Sequence, residues 1–279
     1  MNWLHIVRIR CEPLAQAGLF TKARHPVSVI SDAILARPSA NVGRGSEWHV
    51  GLAEQIEDDG ISFQMGRVQA SKSPQFDEKD HSFFEADTER APFTWGVFDQ
   101  KNQSCGILKR TGVSLSAREV SSKLEILLNS TNIPEEAGFR IVVDPIVDPE
   151  GFIEQLQSAH TIVKFSFTAE FENPFDVETL IQRPAEKFNE AVGGSRTKVE
   201  VEGDSLDKEI LEDLSRAVAA TGDDAAASVR TSERSPSKRI YLKGTPLQEP
   251  VETESALNPL HVMLKATRDA YNRLRNLAS

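Results

Sequence analysis

The stretch "TIVKFSFTAEF", residues 161–171, is the clearest β-strand pattern in the chain. Two sets of side chains alternate along it: Val163, Phe165, Phe167, Ala169 and Phe171 on one side, and Ile162, Lys164, Ser166, Thr168 and Glu170 on the other. Such alternation is typical of a strand that buries one face and leaves the other in water. Strands of fully parallel sheets are buried on both faces, so the pattern favours a mixed or antiparallel sheet with helices mainly on one face.

Strands and helices alternate around this strand from about residue 138 onward. The other predicted elements are strand 139–143, helix 148–159, helix 176–194, strand 196–202, helix 204–222 and a hairpin of 225–231 with 238–244. The hairpin is expected to turn at Ser235-Pro236. The order β-α-β-α-β-α-β-β predicts an α+β fold whose C-terminal half is a ferredoxin-like or related open-faced layer.

The first half of the chain is rich in predicted β-structure. An opening strand is followed by two hairpins that turn at Asp59-Gly60 and at Lys101-Asn102. The polar, acidic residues 71–91 predict a loop, and Ser116 with Glu119 predicts a capping box at the start of a helix. The patterns divide the chain into a β-rich part (1–134), an α/β layer (135–255) and a C-terminal helix (256–279).

Composition predicts a soluble, cytoplasmic protein. The chain has 279 residues, a formal net charge of -10, 39% hydrophobic residues and 27% charged residues, which is typical of a globular domain. Its two cysteines, Cys11 and Cys105, do not suggest a disulfide framework, so a reducing compartment is expected. The N-terminus lacks the apolar region of a signal peptide, and no apolar run approaches the roughly 20 residues of a membrane helix. No membrane partner is therefore predicted.

The positive charge of this acidic chain is concentrated in "SVRTSERSPSKRIYLKG", residues 228–244. Five cations here accompany one acid, Glu233, and three of the four cations of the final helix are predicted to join them. The eight predicted nucleic-acid-binding residues are Arg230, Arg234, Lys238, Arg239, Lys243, Lys265, Arg268 and Arg275. We expect them to form one patch that binds the phosphates of DNA or RNA. The alternative is a charged surface that docks on the acidic segment 200–224 of the same chain or of a second copy.

The C-terminal helix carries an apolar seam with alternating spacings of three and four residues. Its members are Leu257, Leu260, Leu264, Thr267, Tyr271, Leu274 and Ala278. A seam of roughly three heptads can pack on its own domain or form a homodimer through the helix. The sequence leaves both alternatives open.

The sequence contains no motif that identifies a reaction. "GGSRTK", residues 193–198, lacks the spacing of a P-loop, and neither a dinucleotide-binding glycine motif nor a nucleophile elbow occurs. The six histidines have no metal-binding spacing, so neither a metal nor a cofactor is predicted. Two pairs, Glu47 with His49 and Asp144 with Asp148, are the catalytic candidates for an alternative function as a metal-dependent nuclease or phosphodiesterase. A non-catalytic role is preferred to this alternative.

Two segments, "FENPFDVETLIQRPAEKFNEAVGG" at 171–194 and "KRIYLKG" at 238–244, resemble bacterial proteins of unknown function encoded near mobile elements and phage-defence genes. The resemblance covers mainly residues 138–244. It implies a bacterial, cytoplasmic setting and a role in nucleic-acid sensing or defence. It carries no active-site residue over to this chain, because the shared segments are structural motifs and not catalytic signatures. A self-assembling interaction protein is the third function that the sequence leaves open.

Overall fold

The computed structural model describes residues 2–14, 24–42, 46–113, 116–169, 188, 191–192, 197–253 and 256–275. Its strands are β1 Asn2–Pro13, β2 Ser39–Asn41, β3 Glu47–Glu57, β4 Gly60–Asp77, β5 Ser82–Arg90, β6 Phe93–Asp99, β7 Ser104–Leu108, β8 Phe139–Pro145, β9 Thr161–Ala169, β10 Thr197–Glu202, β11 Ala225–Arg230, β12 Lys238–Tyr241 and β13 Gln248–Val251. Its helices are α1 Pro26–Leu35, α2 Ala117–Asn129, α3 Ile133–Glu136, α4 Glu150–Ser158, α5 Lys208–Thr221 and α6 Pro259–Leu274. The predicted α+β class is confirmed.

Nine of these strands form a large antiparallel sheet. Its main order is β13-β1-β7-β6-β4-β3-β2, with β8 also paired to β1 and β5 paired to β4. Both predicted hairpins are confirmed: β3 and β4 join at Asp59-Gly60, and β6 and β7 join through residues 100–103. The long β1 brings together strands from both ends of the chain, because it pairs with β7, β8 and β13.

Successive side chains of β1 contribute to two different hydrophobic cores. Val7 and Ile9 pack in a core with residues of α1 and α2, whereas Leu4 and Ile6 pack in a second core with residues of α6. This division follows from the two-residue period of a strand, which sends neighbouring side chains to opposite faces of a sheet. Ser116 caps α2 as predicted, since the backbone N–H of Glu119 donates to Ser116 Oγ at 3.2 Å, which is one of the two hydrogen bonds of a capping box.

The C-terminal helix α6 buries its seam against the large sheet. Leu264, Thr267, Tyr271 and Leu274 are all buried within the chain. The helix approaches the sheet closely at Gly106 of β7, where an added Cβ would lie only 2.1 Å from Thr267 Oγ1. These four side chains thus pack on their own domain, which is the first of the two alternatives, and are not available to a second copy. Leu257, which precedes α6, is exposed.

The small sheet has the order β10-β9-β11-β12, again with antiparallel neighbours. Its core joins Phe165 and Phe167 of β9 to α4 and α5. The predicted alternation along β9 is wrong at one end, because Ile162 is buried in this core. A register shift opposite Ser228 and Val229 marks a β-bulge, whose extra residue reverses the alternation of the side chains that precede it.

Residues 69–90, predicted in part as a loop, form a two-stranded β-ribbon. Gln69–Asp77 of β4 pairs in register with Ser82–Arg90 of β5, and this ribbon is called the arm. The loop prediction is wrong because most of the arm's side chains are exposed on both faces, so the sequence has no apolar alternation to mark the strands.

The domain division stays a prediction, although the pairing adds that β8 and β13 belong to the large sheet. Most of the predicted helix 176–194 lies outside the described residues, and so does most of the first resembling segment, 171–194. The ferredoxin-like order also stays a prediction, because most of the connection from β9 to β10 lies outside the described residues.

Of the helices that the structure describes, none combines the length and apolar character required to cross a membrane. Both cysteines, Cys11 and Cys105, are buried free thiols.

Candidate nucleic-acid interface

The basic stretch of the sequence folds into the hairpin of β11 and β12, at one edge of the small sheet. Ala226 pairs with Tyr241 and Val229 pairs with Lys238, which confirms the predicted hairpin. Ser235 orders the turn, because its Oγ accepts hydrogen bonds from the backbone N–H groups of Thr231 at 3.0 Å and Ser232 at 2.9 Å. The structure therefore holds the loop between the two strands in a defined shape.

All five cations of the hairpin are exposed to solvent: Arg230, Arg234, Lys238, Arg239 and Lys243. Within the part of the chain that the structure describes, none of them is joined to a carboxylate by an ion pair. Exposed cations of this kind keep their full charge available to a ligand with negative groups.

Tyr241 lies at the centre of the charged surface. Its side chain is 50% exposed, and the guanidinium of Arg239 and the ammonium of Lys243 each lie 5.4 Å from its ring centroid. These distances allow cation–π attraction between each of the two cations and the ring. The neighbouring Ile240 and Leu242 are buried in the small core. Alternation along β12 therefore presents one aromatic ring between two cations.

A cleft of about 350 Å³ opens beside Tyr241 on the same face of the small sheet. Its lining includes the small side chains Ser166, Thr168 and Ala226. Thr168 Oγ1 accepts a hydrogen bond from the backbone N–H of Asp224 at 3.2 Å. The lining thus combines two hydroxyl groups with three cations, Lys198, Arg239 and Lys243, and one carboxylate, Asp224. This excess of positive charge suits a flat polar ring attached to an anionic group.

The lysines of the neighbouring strands do not extend the positive surface. Lys164 Nζ lies 2.5 Å from Glu200 and 2.7 Å from Glu202, and Lys198 Nζ lies 3.3 Å from Glu200. The hydrogen bond to Glu200 raises the pKa of Lys164, and the same bond lowers the pKa of Glu200. The pairs of Lys164 could not be predicted from the sequence, because they depend on β9 and β10 being neighbours in the sheet.

The three predicted cations of α6 lie on the large sheet and not in the basic hairpin. Arg268 contacts carboxylates of Glu57, Asp59 and Asp99. Asp99 is fully buried, and this burial raises its pKa, although Arg268 opposes the effect. Lys265 is exposed and Arg275 is half-buried. The charge of Arg268 is therefore neutralised by its own fold.

The two catalytic pairs have structural partners. On β3, Glu47 is exposed, whereas His49 contacts Ser39 Oγ through Nδ1 at 2.7 Å. Asp144 forms an ion pair with Arg10 at 2.9 Å, and Asp148 Oδ1 accepts the backbone N–H of Glu150, the first residue of α4, at 3.0 Å. Across the described ranges, no three His, Cys, Asp or Glu side chains are grouped to hold a metal ion.

A second cleft, of about 400 Å³, was not expected from the sequence. It lies where α2 faces β8 and the turns at Gly222 and Gly244, and its lining includes Arg118, Ser121 and Asp144. No local motif could have indicated it, because its walls come from segments more than 100 residues apart.

Comparison with known proteins adds no family: no protein-family model matches the chain, and no curated protein matches its sequence.

Proposed function

We propose that this chain is a non-catalytic binding protein whose basic hairpin, residues 228–244, binds the sugar–phosphate backbone of a nucleic acid. The observation that carries the proposal is Tyr241, half-exposed between Arg239 and Lys243 at the mouth of a cleft. Cations that contact phosphates release condensed counterions, and this release drives binding. An aromatic ring adds a surface on which an unpaired base can stack.

Single-stranded nucleic acid fits this surface better than a duplex. The face of a base is accessible only when the base is unstacked, and Tyr241 is a single ring on a sheet surface. One stacked base contributes about 1–3 kcal/mol, which is a large share of the affinity of so small a site. The two hydroxyl side chains in the cleft, Ser166 and Thr168, add hydrogen-bonding partners for the edge of that base.

The overall charge of the chain supports a localised interface. A protein with a net charge of -10 repels polyanions over most of its surface, so binding is favoured where several unpaired cations lie together, as they do in the basic hairpin. The resemblance to proteins encoded near mobile elements and phage-defence genes favours a role in nucleic-acid sensing or defence in a bacterium. We extend the proposal to that setting.

The test is a titration of labelled single-stranded DNA, single-stranded RNA and duplex DNA with the protein at several salt concentrations. The principal variant changes Lys238, Arg239 and Lys243 to Glu. The matched control changes three exposed cations elsewhere, Lys101, Lys109 and Arg118, to Glu, so both variants have the same net charge. Loss of affinity in the first variant alone is expected.

The salt dependence gives a quantitative criterion. Each lost phosphate contact to a single strand reduces the slope of log K against log salt by about 0.7, so three contacts correspond to a reduction of about 2. Equal loss of affinity in both variants would assign the binding to net charge. That result, or no binding of any nucleic acid by the unmodified protein, would exclude the proposed function.

A further inference from the structure

The tip of the arm exposes an aromatic cluster. Phe83 is 83% exposed, and Phe76, its partner across the two strands, is 46% exposed. Their ring centroids lie 4.9 Å apart, and the ring of His81 lies 6.1 Å from that of Phe76. Large aromatic side chains so exposed at the end of a β-ribbon are typical of a contact surface.

Acidic side chains continue from this cluster along the same face of the arm. Because side chains two residues apart share a face, Glu85, Asp87 and Glu89 follow Phe83 at intervals of roughly 7 Å. Lys72 lies on the same face and its Nζ is 3.8 Å from Glu85. Over the whole arm six acids accompany three bases, namely Asp77, Glu78, Asp80, Glu85, Asp87 and Glu89 with Lys72, Lys79 and Arg90. The arm is therefore an acidic surface that ends in aromatic rings.

The basic hairpin has the complementary arrangement. Arg239, Tyr241 and Lys243 lie at two-residue intervals, so two cations four residues apart flank an aromatic ring on one face of the hairpin. The cleft beside Tyr241, of about 350 Å³, includes apolar wall atoms from Phe167 and Ala226 and can receive a single aromatic side chain. The two surfaces therefore carry opposite charges, and each has an exposed aromatic ring beside its charges.

We propose that the arm of one copy of this chain docks on the basic hairpin of a second copy, with Phe83 at the cleft beside Tyr241 and the acids of the arm against the cations of the hairpin. A basic partner is required, since the acids of the arm repel nucleic acid and anionic lipid. A second copy provides a basic surface with a cleft at its centre. The contact is heterologous, so it generates rings or open chains of copies.

This docking does not depend on the proposed binding of nucleic acid, but it uses the same surface. Both contacts are strengthened by low salt, because the Debye length shortens from about 30 Å at 0.01 M to about 10 Å at 0.1 M salt. Self-association is measured without nucleic acid, so failure of one proposal leaves the other intact.

A charge exchange between two variants tests the contact. The arm variant changes Glu85, Asp87 and Glu89 to Lys, and the hairpin variant changes Lys238, Arg239 and Lys243 to Glu. Sedimentation velocity of the full chain at low salt is expected to show association for the unmodified protein and none for either variant alone. An equimolar mixture of the two variants restores association, since each basic arm then meets an acidic hairpin.

Three further measurements make the outcome decisive. Circular dichroism and thermal unfolding establish that both variants are folded. The variant Phe83→Ser is expected to reduce association without changing charge, whereas Phe84→Ser, on the opposite face of the arm, retains it. A monomeric unmodified protein at low salt would overturn the proposal, and so would two folded variants that fail to associate when mixed.

Discussion

The large sheet and the small sheet use arginine in opposite ways. On the large sheet, Arg268 holds three carboxylates, one of which, Asp99, is fully buried. On the small sheet, Arg239 lies in solvent over the ring of Tyr241. The first arginine connects a helix to two strands, and carboxylates of the same chain neutralise its charge. The second contributes little to the core, so its charge remains available for a ligand.

The largest expected effect is the loss of stability on replacing Arg268, the arginine whose charge is neutralised within the fold. Arg268→Ala leaves Asp99 buried without its cation, and breaking such a pair costs about 3–5 kcal/mol. Urea denaturation measures the free energy of unfolding. Lys265→Ala, at an exposed position of the same helix, is the control and should change it by no more than about 0.5 kcal/mol. Similar free energies of unfolding for the two variants would mean that the large sheet does not depend on the ion pairs of Arg268.

Truncation of the ring on the small sheet should affect binding and leave stability unchanged. Tyr241→Ala is expected to weaken single-strand binding by about 1–3 kcal/mol, which is roughly a 5- to 150-fold loss. Fluorescence anisotropy measures the affinity, and Tyr241→Phe retains it because stacking needs only the ring. If the unfolding midpoint of Tyr241→Ala falls while affinity is kept, Tyr241 belongs to the fold.

Burial of His5 on the large sheet should make stability depend on pH. Desolvation lowers the pKa of His5 below 6.5, and the nearby charge of Lys109 lowers it further. A lowered histidine pKa gives stability that is present above pH 6.5 and is lost as pH falls, by at most about 1.4 kcal/mol per pH unit. The raised pKa of Asp99 has the opposite sign, since stability from that carboxyl is lost as pH rises.

The comparison of the unmodified protein with His5→Leu isolates the histidine, because Asp99 is common to both. Thermal unfolding at pH 7.5 and pH 5.5 should show a smaller loss for His5→Leu. An identical loss in both proteins would mean that His5 is protonated equally in the folded and unfolded states.

The smallest expected effect concerns the paired lysines of the small sheet. Glu200→Gln with Glu202→Gln frees Lys164 and Lys198, while the free energy of unfolding is expected to stay nearly unchanged because the pairs are exposed. Two additional phosphate contacts would steepen the salt slope for a single strand by about 1.4. An unchanged slope would show that the bound strand does not cross β9 and β10.

Local sequence patterns predicted the small sheet's hairpin but not the contacts of the large sheet. The two-residue period places Arg239, Tyr241 and Lys243 on one face, and β12 does so. The partners of Arg268 could not be predicted, because they lie about 170 to 210 positions away and no local period links them. The seam of α6 was predicted, but amphipathic spacing does not say which surface covers it.

Two further errors have different physical causes. The arm was predicted as a loop because exposure of both faces removes the alternation by which strands are recognised. Ile162 was assigned to the wrong face because a bulge shifts the period by one residue, and bulges carry no side-chain signature. Nothing in composition separated the paired lysines from the unpaired ones either, since pairing depends on which strands are neighbours.

The buried thiols make the chain convenient for spectroscopic labelling. Burial raises the pKa of Cys11 to about 12 and raises that of Cys105 as well, so neither sulfur forms the thiolate that reacts with maleimides. A cysteine introduced at position 83 or 241 would carry the only reactive sulfur in the native chain. A donor dye on one copy and an acceptor dye on another would then report the distance between their arms and hairpins directly, without prior removal of native cysteines.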